Sequence, residues 1–515
     1  MFFSVRPYRS SPPIDARSQV FLRLDNWNDY SYYTSFYMDY VDNDGLVHNI
    51  GAVKIAYFGQ PTLEEAKRPV NNEEFDELSE GFFSLGQDDN YYDRLNKLGS
   101  EVRDKVLRGL RDIANDEALY EKAIAEEVTK VSLLRSVSQT SVTGQFRRMT
   151  RGGVRLSEYR FNFIPPIESE EETAPAAISF HVVPESTPPT NIQVLIGRNG
   201  VGKTHLLNNM IKTLVKPKEA SIYGAFISDD VAGSERIFAN LVSISFSAFD
   251  KSEPLKENTD KTVGIQYSYI GLRKPKNEQG ENRAPKSIDD LKQEFVTSLE
   301  MCRRIPKSDH WKMAIGLLET DPNFKEAEIP IIMDILDDNL FKSKGSELYS
   351  NLSSGHKIVL LTITRLVETM EERSLVLMDE PETHLHPPLL SAFVRALSKL
   401  LIEKNGVAIV VTHSPVVLQE VPKSCVYNLR RNTNGLIPER LEAETFGENV
   451  GLLTREVFGL EVAESGFHKT LINTIDEGRS YEEMLALYNG QLGMEARSII
   501  RAHIATKHPG EHKNT

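Results

Sequence analysis

Residues 192–214 read IQVLIGRNGVGKTHLLNNMIKTL. An apolar run, a glycine-rich turn and a run with apolar residues at helical spacing predict strand, loop and helix in that order. Within it, Gly197-Arg198-Asn199-Gly200-Val201-Gly202-Lys203-Thr204 satisfies G-x-x-x-x-G-K-[ST] in the context that pattern requires. The residue types follow from the task. Glycines let backbone N–H groups curl around phosphates with no Cβ in the way, and the dipole of the following helix adds attraction. Lys203 offers an ammonium to the β and γ phosphates, and the Thr204 hydroxyl is a ligand for Mg²⁺. Asn199, Gly200, Val201, Gly202, Lys203, Thr204 and His205 are therefore the expected nucleotide-binding residues, with ATP and Mg²⁺ as the expected cofactors.

Two later segments supply acid–base chemistry. Residues 373–387, RSLVLMDEPETHLHP, place four apolar residues ahead of Asp379 and Glu380. A buried strand there, beside the phosphate-loop strand, brings Asp379 to the magnesium shell as a metal ligand. Glu380, one residue on, is positioned to polarise an attacking water. Residues 406–415, GVAIVVTHSP, predict another buried strand, ending in His413, whose place after the carboxylate strand makes it the expected γ-phosphate sensor. A third segment, NLSSGHKIVLL at 351–361, reads as the start of a helix. Its N-terminus presents unpaired N–H groups and partial positive charge, a ready anion site.

The order phosphate loop, LSSGH, strand with Asp-Glu and strand with His resembles the ATP-binding-cassette ATPase group. In that group the signature sequence of one subunit caps the γ-phosphate held by its partner's loop. The resemblance implies that Ser353, Ser354 and Gly355 serve another chain's nucleotide, and that the protein is a homo-oligomer, at least a head-to-tail dimer. LSSGH departs from the usual Leu-Ser-Gly-Gly-Gln at Ser354 and His356. Transport cassettes fit poorly: a long insertion separates the halves of the site, and the Q-loop candidate, Gln266 in GIQYSYIGLR, is weak.

DEPETHLHP instead resembles the soluble branch related to SMC-type and OLD-family ATPases. Four stretches carry a closer resemblance to the ATPase subunit of the Septu antiphage system, PtuA, and its retron-associated relatives: LSSGHKIVLL (352–361), SISFSAFD (243–250), FFSLGQDDNYYDRL (82–95) and GLLTREVFGLE (451–461). The implied function is an ATP-hydrolysing regulator of a partner nuclease in bacterial antiphage defence. The implied partners are an HNH nuclease subunit (PtuB-like) and, in the retron form, a reverse transcriptase with its msDNA. The alternatives are an SMC-like DNA-repair or DNA-organising ATPase and an OLD-like nuclease. The first would want a long coiled coil, and no sustained heptads are present; the second would want an Asp-x-Asp cluster after His413, where the chain reads as helical.

The 515 residues carry a net charge of −14, which argues against non-specific nucleic-acid binding over the whole surface. It leaves room for a local basic groove. GQFRRMTRGGVR at 144–155, with Arg147, Arg148, Arg151 and Arg155, is open to nucleic-acid contact, although such a run is more often a solvated loop or a protein contact. No apolar run reaches the roughly 18–20 residues of a membrane span. Cys302 and Cys425 form no ligand or disulfide pattern and read as buried free thiols in a reducing cytosol, so the expected location is cytoplasmic.

The expected fold class is α/β, an ABC-type P-loop ATPase head with a mixed β lobe, helical insertions and a helical C-terminal region. Residues 1–60 are expected as the N-terminal β part of the first lobe, with a hairpin turned by DNDG at 42–45. A helical insertion follows at 61–135, with Leu95, Leu98, Val102, Val106, Leu107 and Leu110 at amphipathic spacing. Residues 136–250 hold the rest of that lobe and the phosphate loop, 251–350 a second helical insertion, and 351–430 the second lobe with the signature, carboxylate and histidine segments. Residues 431–515 form the C-terminal helical region, in which Ser480 to Glu483 match a capping box and His508 and His512 lie in a flexible end.

Overall fold

The computed structural model describes residues 1–507 apart from 9, 26–31, 62–68, 71–73, 154–155, 157, 168–174, 185, 229–236, 248–253, 259–264, 277–282, 304–306, 433–434, 465 and 477–478. Arg155, His508 and His512 lie outside the described residues.

The N-terminal strands are β1 (Phe2–Arg6), β2 (Gln19–Leu24), β3 (Ser35–Val41), β4 (Val47–Tyr57), β5 (Glu74–Phe75) and β6 (Phe82–Gly86). They form one six-stranded sheet, β5-β1-β2-β3-β4-β6, with the expected hairpin between β3 and β4. This sheet has its own core, shared with the helices up to Met149. The expected division at residue 60, with a purely helical insertion after it, therefore differs from the sheets: β5 and β6 lie in the charged stretch and complete the sheet. The amphipathic pattern is also two helices, Asp89–Lys97 and Ser100–Gly109, broken at Gly99, whose φ of +93° only glycine adopts readily.

Four strands follow: β7 (Tyr159–Ile164), β8 (Ile178–Val182), β9 (Ile192–Gly197) and β10 (Ala225–Ile227). After them come β11 (Asn240–Ser245), β12 (Gln266–Gly271), β13 (Leu375–Asp379), β14 (Val407–Thr412), β15 (Val426–Asn432) and β16 (Gly435–Arg440). β10, β7 and β8 make a three-stranded sheet, and the remainder a seven-stranded sheet ordered β12-β11-β13-β14-β9-β15-β16. The strands from β12 to β15 are parallel and β16 returns antiparallel. A parallel sheet is covered on both faces, and its strands read as continuous apolar runs. Every residue of β9, β13 and β14 is buried.

Alternate side chains feed two cores. Val194, Val376, Met378, Ala408 and Val410 join the helices Ile288–Cys302, Lys307–Leu318, Ser354–Thr369 and Pro387–Glu403. Leu195, Leu375, Leu377, Ile409 and Val411 face the helix Lys203–Val215 and the aromatic three-stranded sheet.

Four expectations are corrected here. The carboxylate strand β13 does not lie beside β9; β14 stands between them. The strand ends are nevertheless level, since Asp379 registers with Val411 and Thr412 with Ile196. Gln266 opens β12 opposite Asn240, at the end of the sheet away from Asp379, so it is not a Q-loop residue. The 251–350 stretch is not wholly helical, because β12 is part of the central sheet, and the C-terminal region begins with the β16 hairpin strand.

Two arginines of the basic stretch, Arg147 and Arg148, turn inward, while Arg151 is exposed. The Arg147 guanidinium pairs with Glu117 at 3.1 Å and lies over the Tyr120 ring. Arg148 reaches Glu372 at 3.5 Å, tying the N-terminal unit to the start of the carboxylate segment. Lys404 makes a second tie, 3.3 Å from Asp88. No described helix is long and apolar enough to cross a membrane.

Candidate nucleotide site

The phosphate loop joins β9 to the helix beginning at Lys203. A Cβ on Gly197 would stand 2.4 Å from the Leu429 carbonyl oxygen of β15, so only glycine lets the two strands meet. Gly200 and Gly202 have φ of +79° and +106°, which bend the chain back over the helix N-terminus. Lys203 is buried, and its Nζ donates to the carbonyls of Gly197 at 2.9 Å and Arg198 at 3.0 Å. Burial lowers its pKa to about 8, against the opposing pull of Glu380, Asp379 and Glu382. Those three carboxylates thus act on Lys203 across the intervening strand. Val201 is buried under the loop, while Asn199 is exposed near its tip. Thr204 is half-buried; His205 is exposed, its Nε2 3.2 Å from Asn209 Nδ2.

Asp379, 4% exposed, ends β13. Glu380 adopts φ +45°, a left-handed conformation that costs a non-glycine residue free energy and that strand ends at reactive sites often hold. Its amide donates to the Val411 carbonyl at 2.8 Å, and its Oε1 lies 3.1 Å from His413 Nε2. Burial, and then the charge of Lys203, holds His413 below the usual histidine pKa despite Glu380 and Glu382.

Glu382 was not singled out from the sequence. Its Oε1 accepts from the Thr412 hydroxyl at 2.8 Å and from the His413 amide at 2.6 Å, so it clamps the end of β14 to the turn Pro381–His384. Its place two residues after Glu380, on the turn leaving the carboxylate strand, is the signal that would have found it.

The structure brings Lys203, Asp379, Glu380 and His413 together at the C-terminal ends of the central strands. The signature residues make a different set of contacts. Ser353 caps the helix Ser354–Thr369 in position without a side-chain capping bond, and Ser353 and Ser354 are exposed. Gly355 is buried, and a Cβ there would lie 2.6 Å from the His384 carbonyl. Among the described residues, no hydrogen bond or ion pair joins Ser353, Ser354 or Gly355 to the phosphate loop of the same chain. Donor chemistry fits the expected metal: a Thr204 hydroxyl and an Asp379 carboxylate are hard oxygen ligands of the kind Mg²⁺ takes. The ordered parallel sheet, phosphate loop, signature helix, carboxylate strand and histidine strand are those of an ABC-type P-loop ATPase head, and the fold is of that class.

The chain is 41% identical over 534 aligned residues to protein ea59 of Escherichia phage lambda, with 99% of each chain covered. Residues 246–419 match the family described as "AAA domain, putative AbiEii toxin, Type IV TA system". Among solved structures, an ATP-binding cassette of an ABC transporter in its ADP conformation aligns at 14% identity and a TM-score of 0.31, covering 60% of this chain and 98% of that one. The SMC head domain from Thermotoga maritima aligns at 13% identity and a TM-score of 0.27, covering 56% and 100%.

Proposed function

The chain belongs to the family of protein ea59 of Escherichia phage lambda, and we propose that it is an ATP-hydrolysing switch whose heads close head to tail around two nucleotides. One observation carries this reading. Lys203, Asp379, Glu380 and His413 act on one another at the C-terminal ends of the central strands, while the signature serines stand exposed and uncommitted to that loop.

In this reading Lys203 leaves the Gly197 and Arg198 carbonyls for the β and γ phosphates, and the loop amides from Asn199 to His205 surround them. Mg²⁺, held by Thr204 and Asp379, supplies charge neutralisation at the phosphates when bound. Glu380 takes the proton of the attacking water, and His413 hydrogen-bonds the γ-phosphate. Ser353 and the amides of Ser354 and Gly355 reach the same phosphate from the neighbouring head.

Closure is the signal, and the effector is separate. The motif resemblance supports an HNH-type nuclease subunit as that effector, with a reverse transcriptase and its msDNA in the retron form, acting in antiphage defence in the cytoplasm. Inward-facing Arg147 and Arg148 favour a protein contact over nucleic acid for the 144–155 stretch.

The test is light scattering on the Glu380→Gln chain, which should hold ATP without spending it. ATP with Mg²⁺ should double the particle mass, and ADP should not. A mass unchanged by ATP, in protein that demonstrably binds it, rules out the switch.

A further inference from the structure

Ser353 Oγ lies 2.6 Å from His356 Nδ1, and His356 Nε2 lies 2.9 Å from Asp321 Oδ1. The last two side chains are 6% and 5% exposed. Asp321 is fixed independently, because it caps the helix Pro322–Glu326 by accepting from the Asn323 and Phe324 amides. Burial pushes its pKa up, but the His356 hydrogen bond and the Asn323 amide outweigh it and leave the carboxyl below its usual value. An ionised carboxylate only accepts, so His356 Nε2 carries a proton.

The state of Nδ1 then decides what Ser353 can do. When His356 is neutral, Nδ1 accepts the serine hydroxyl proton, and Oγ turns only lone pairs outward, towards which a phosphate oxygen is repelled. When His356 is protonated, Nδ1–H donates to Oγ and the hydroxyl proton is released for an anion. We propose that Asp321 and His356 are positioning residues that set the hydrogen-bond polarity of the signature serine, so that capping a partner's γ-phosphate takes up a proton at His356. The proposal rests on the head-to-tail reading above.

His386 completes a cluster of the composition metals take, since ligand-type atoms of Asp321, His356 and His386 lie within 4.8 Å of one another. The hydrogen bonds argue otherwise. His386 Nδ1 accepts the Leu389 amide at 3.3 Å, which leaves its proton on Nε2, 3.6 Å from Asp321 Oδ2. His356 Nε2 is likewise protonated, and neither nitrogen has a lone pair to give. The groups that face His356 are Asp321, the Asn323 amide at 3.4 Å, the Phe324 ring and the His386 ring at 6.3 Å. Asp321 is the anion among them, and a partner's bound phosphate would add a second, which favours the doubly protonated imidazole.

The experiment is ATP-dependent dimerisation of the full chain in the Glu380→Gln background, followed by light scattering across about pH 6–9, the range in which histidine charge changes. With His356 the dimer should weaken with rising pH by up to tenfold per pH unit per site. His356→Gln cannot titrate, so it should dimerise with a flatter profile; titrations at Lys203 and His413 are common to both chains and cancel in the comparison. His356→Leu removes the acceptor that holds the Ser353 hydroxyl proton, so it should bind ATP and dimerise with a profile as flat as that of His356→Gln. If that variant misfolds, Asp321→Asn serves instead, and should move the profile to lower pH. Parallel profiles for the wild-type residue and either substitution overturn the proposal. Stoichiometric Zn²⁺ binding by calorimetry, lost in His356→Gln, overturns it in favour of a metal centre. Absence of any ATP-dependent dimer at any pH, in every chain, removes the head-to-tail reading itself.

Discussion

His413 Nε2 and Glu380 Oε1 stand 3.1 Å apart, across the ends of two neighbouring strands. In the proposed reaction one senses the γ-phosphate and the other accepts the proton of water, so each holds the other until a phosphate competes for the histidine. Glu380→Gln removes the proton acceptor and leaves the loop intact. Single-turnover hydrolysis should slow by roughly 10²–10⁴, the range a positioned base typically supplies, with ATP affinity kept. Wild-type turnover in this variant would take Glu380 out of the chemistry.

Lys203 has a pKa of about 8 when it faces the Gly197 and Arg198 carbonyls. Phosphate oxygens raise it, so ATP binding takes up a proton once the pH exceeds that value, and affinity falls as pH rises further. Calorimetry at about pH 8.5, in two buffers of different ionisation enthalpy, should show an uptake approaching one proton per ATP. Lys203→Ala should lose tight binding while its melting temperature stays near wild type. Buffer-independent heats, or retained affinity in the folded variant, would contradict the assignment.

Glu382→Ala strips the acceptor from the Thr412 hydroxyl and the His413 amide. Leaving those buried donors unpaired should cost roughly 1–3 kcal/mol. Misplacing His413 should lower turnover by on the order of 10²-fold with little change in ATP affinity. Denaturant midpoints and rates measured on the same preparation check both; an active, fully stable variant would mean the clamp is incidental.

The phosphate loop and the Asp379–Glu380 pair were legible in the sequence because their chemistry is local: a strand, a turn and a few fixed residue types. Strand adjacency was not, since nothing in residues 373–387 says that β14 will settle between β13 and β9. Gln266 failed for the same reason, its end of β12 being set by a parallel pairing to Asn240. The N-terminal sheet hid two short strands, Glu74–Phe75 and Phe82–Gly86, inside a charged stretch dominated by helical periodicity. Asp321 lies 35 residues before His356, a separation that no local pattern spans.

Glu372 gives the junction between the N-terminal unit and the ATPase a pH dependence. Burial raises its pKa from 4.5 to about 7, although Arg148 and Arg373 oppose the shift. The folded state therefore holds a proton that the unfolded chain releases above pH 4.5, and stability falls as pH rises from 4.5 to 7, by about 3 kcal/mol in all. Glu372→Gln stays neutral and should lose that dependence. Denaturant melts at about pH 5 and pH 8 should show the variant gaining on wild type at the higher pH; a difference that ignores pH would refute the assignment.

The head-to-tail arrangement is tested most directly by mixing two crippled chains. Ser353→Arg keeps its own phosphate loop but blocks the space a partner's γ-phosphate needs. Lys203→Ala keeps its signature but has lost the loop cation. A mixed dimer then contains one site with both parts intact and one with both broken. With subunit exchange verified by mass, ATPase rate is measured against mixing ratio. A rate that is absent from either chain alone and rises to a maximum near equal proportions, towards half a dimer's wild-type turnover, is what signature action in trans predicts. A flat, inactive profile despite proven exchange would mean that Ser353 serves its own chain.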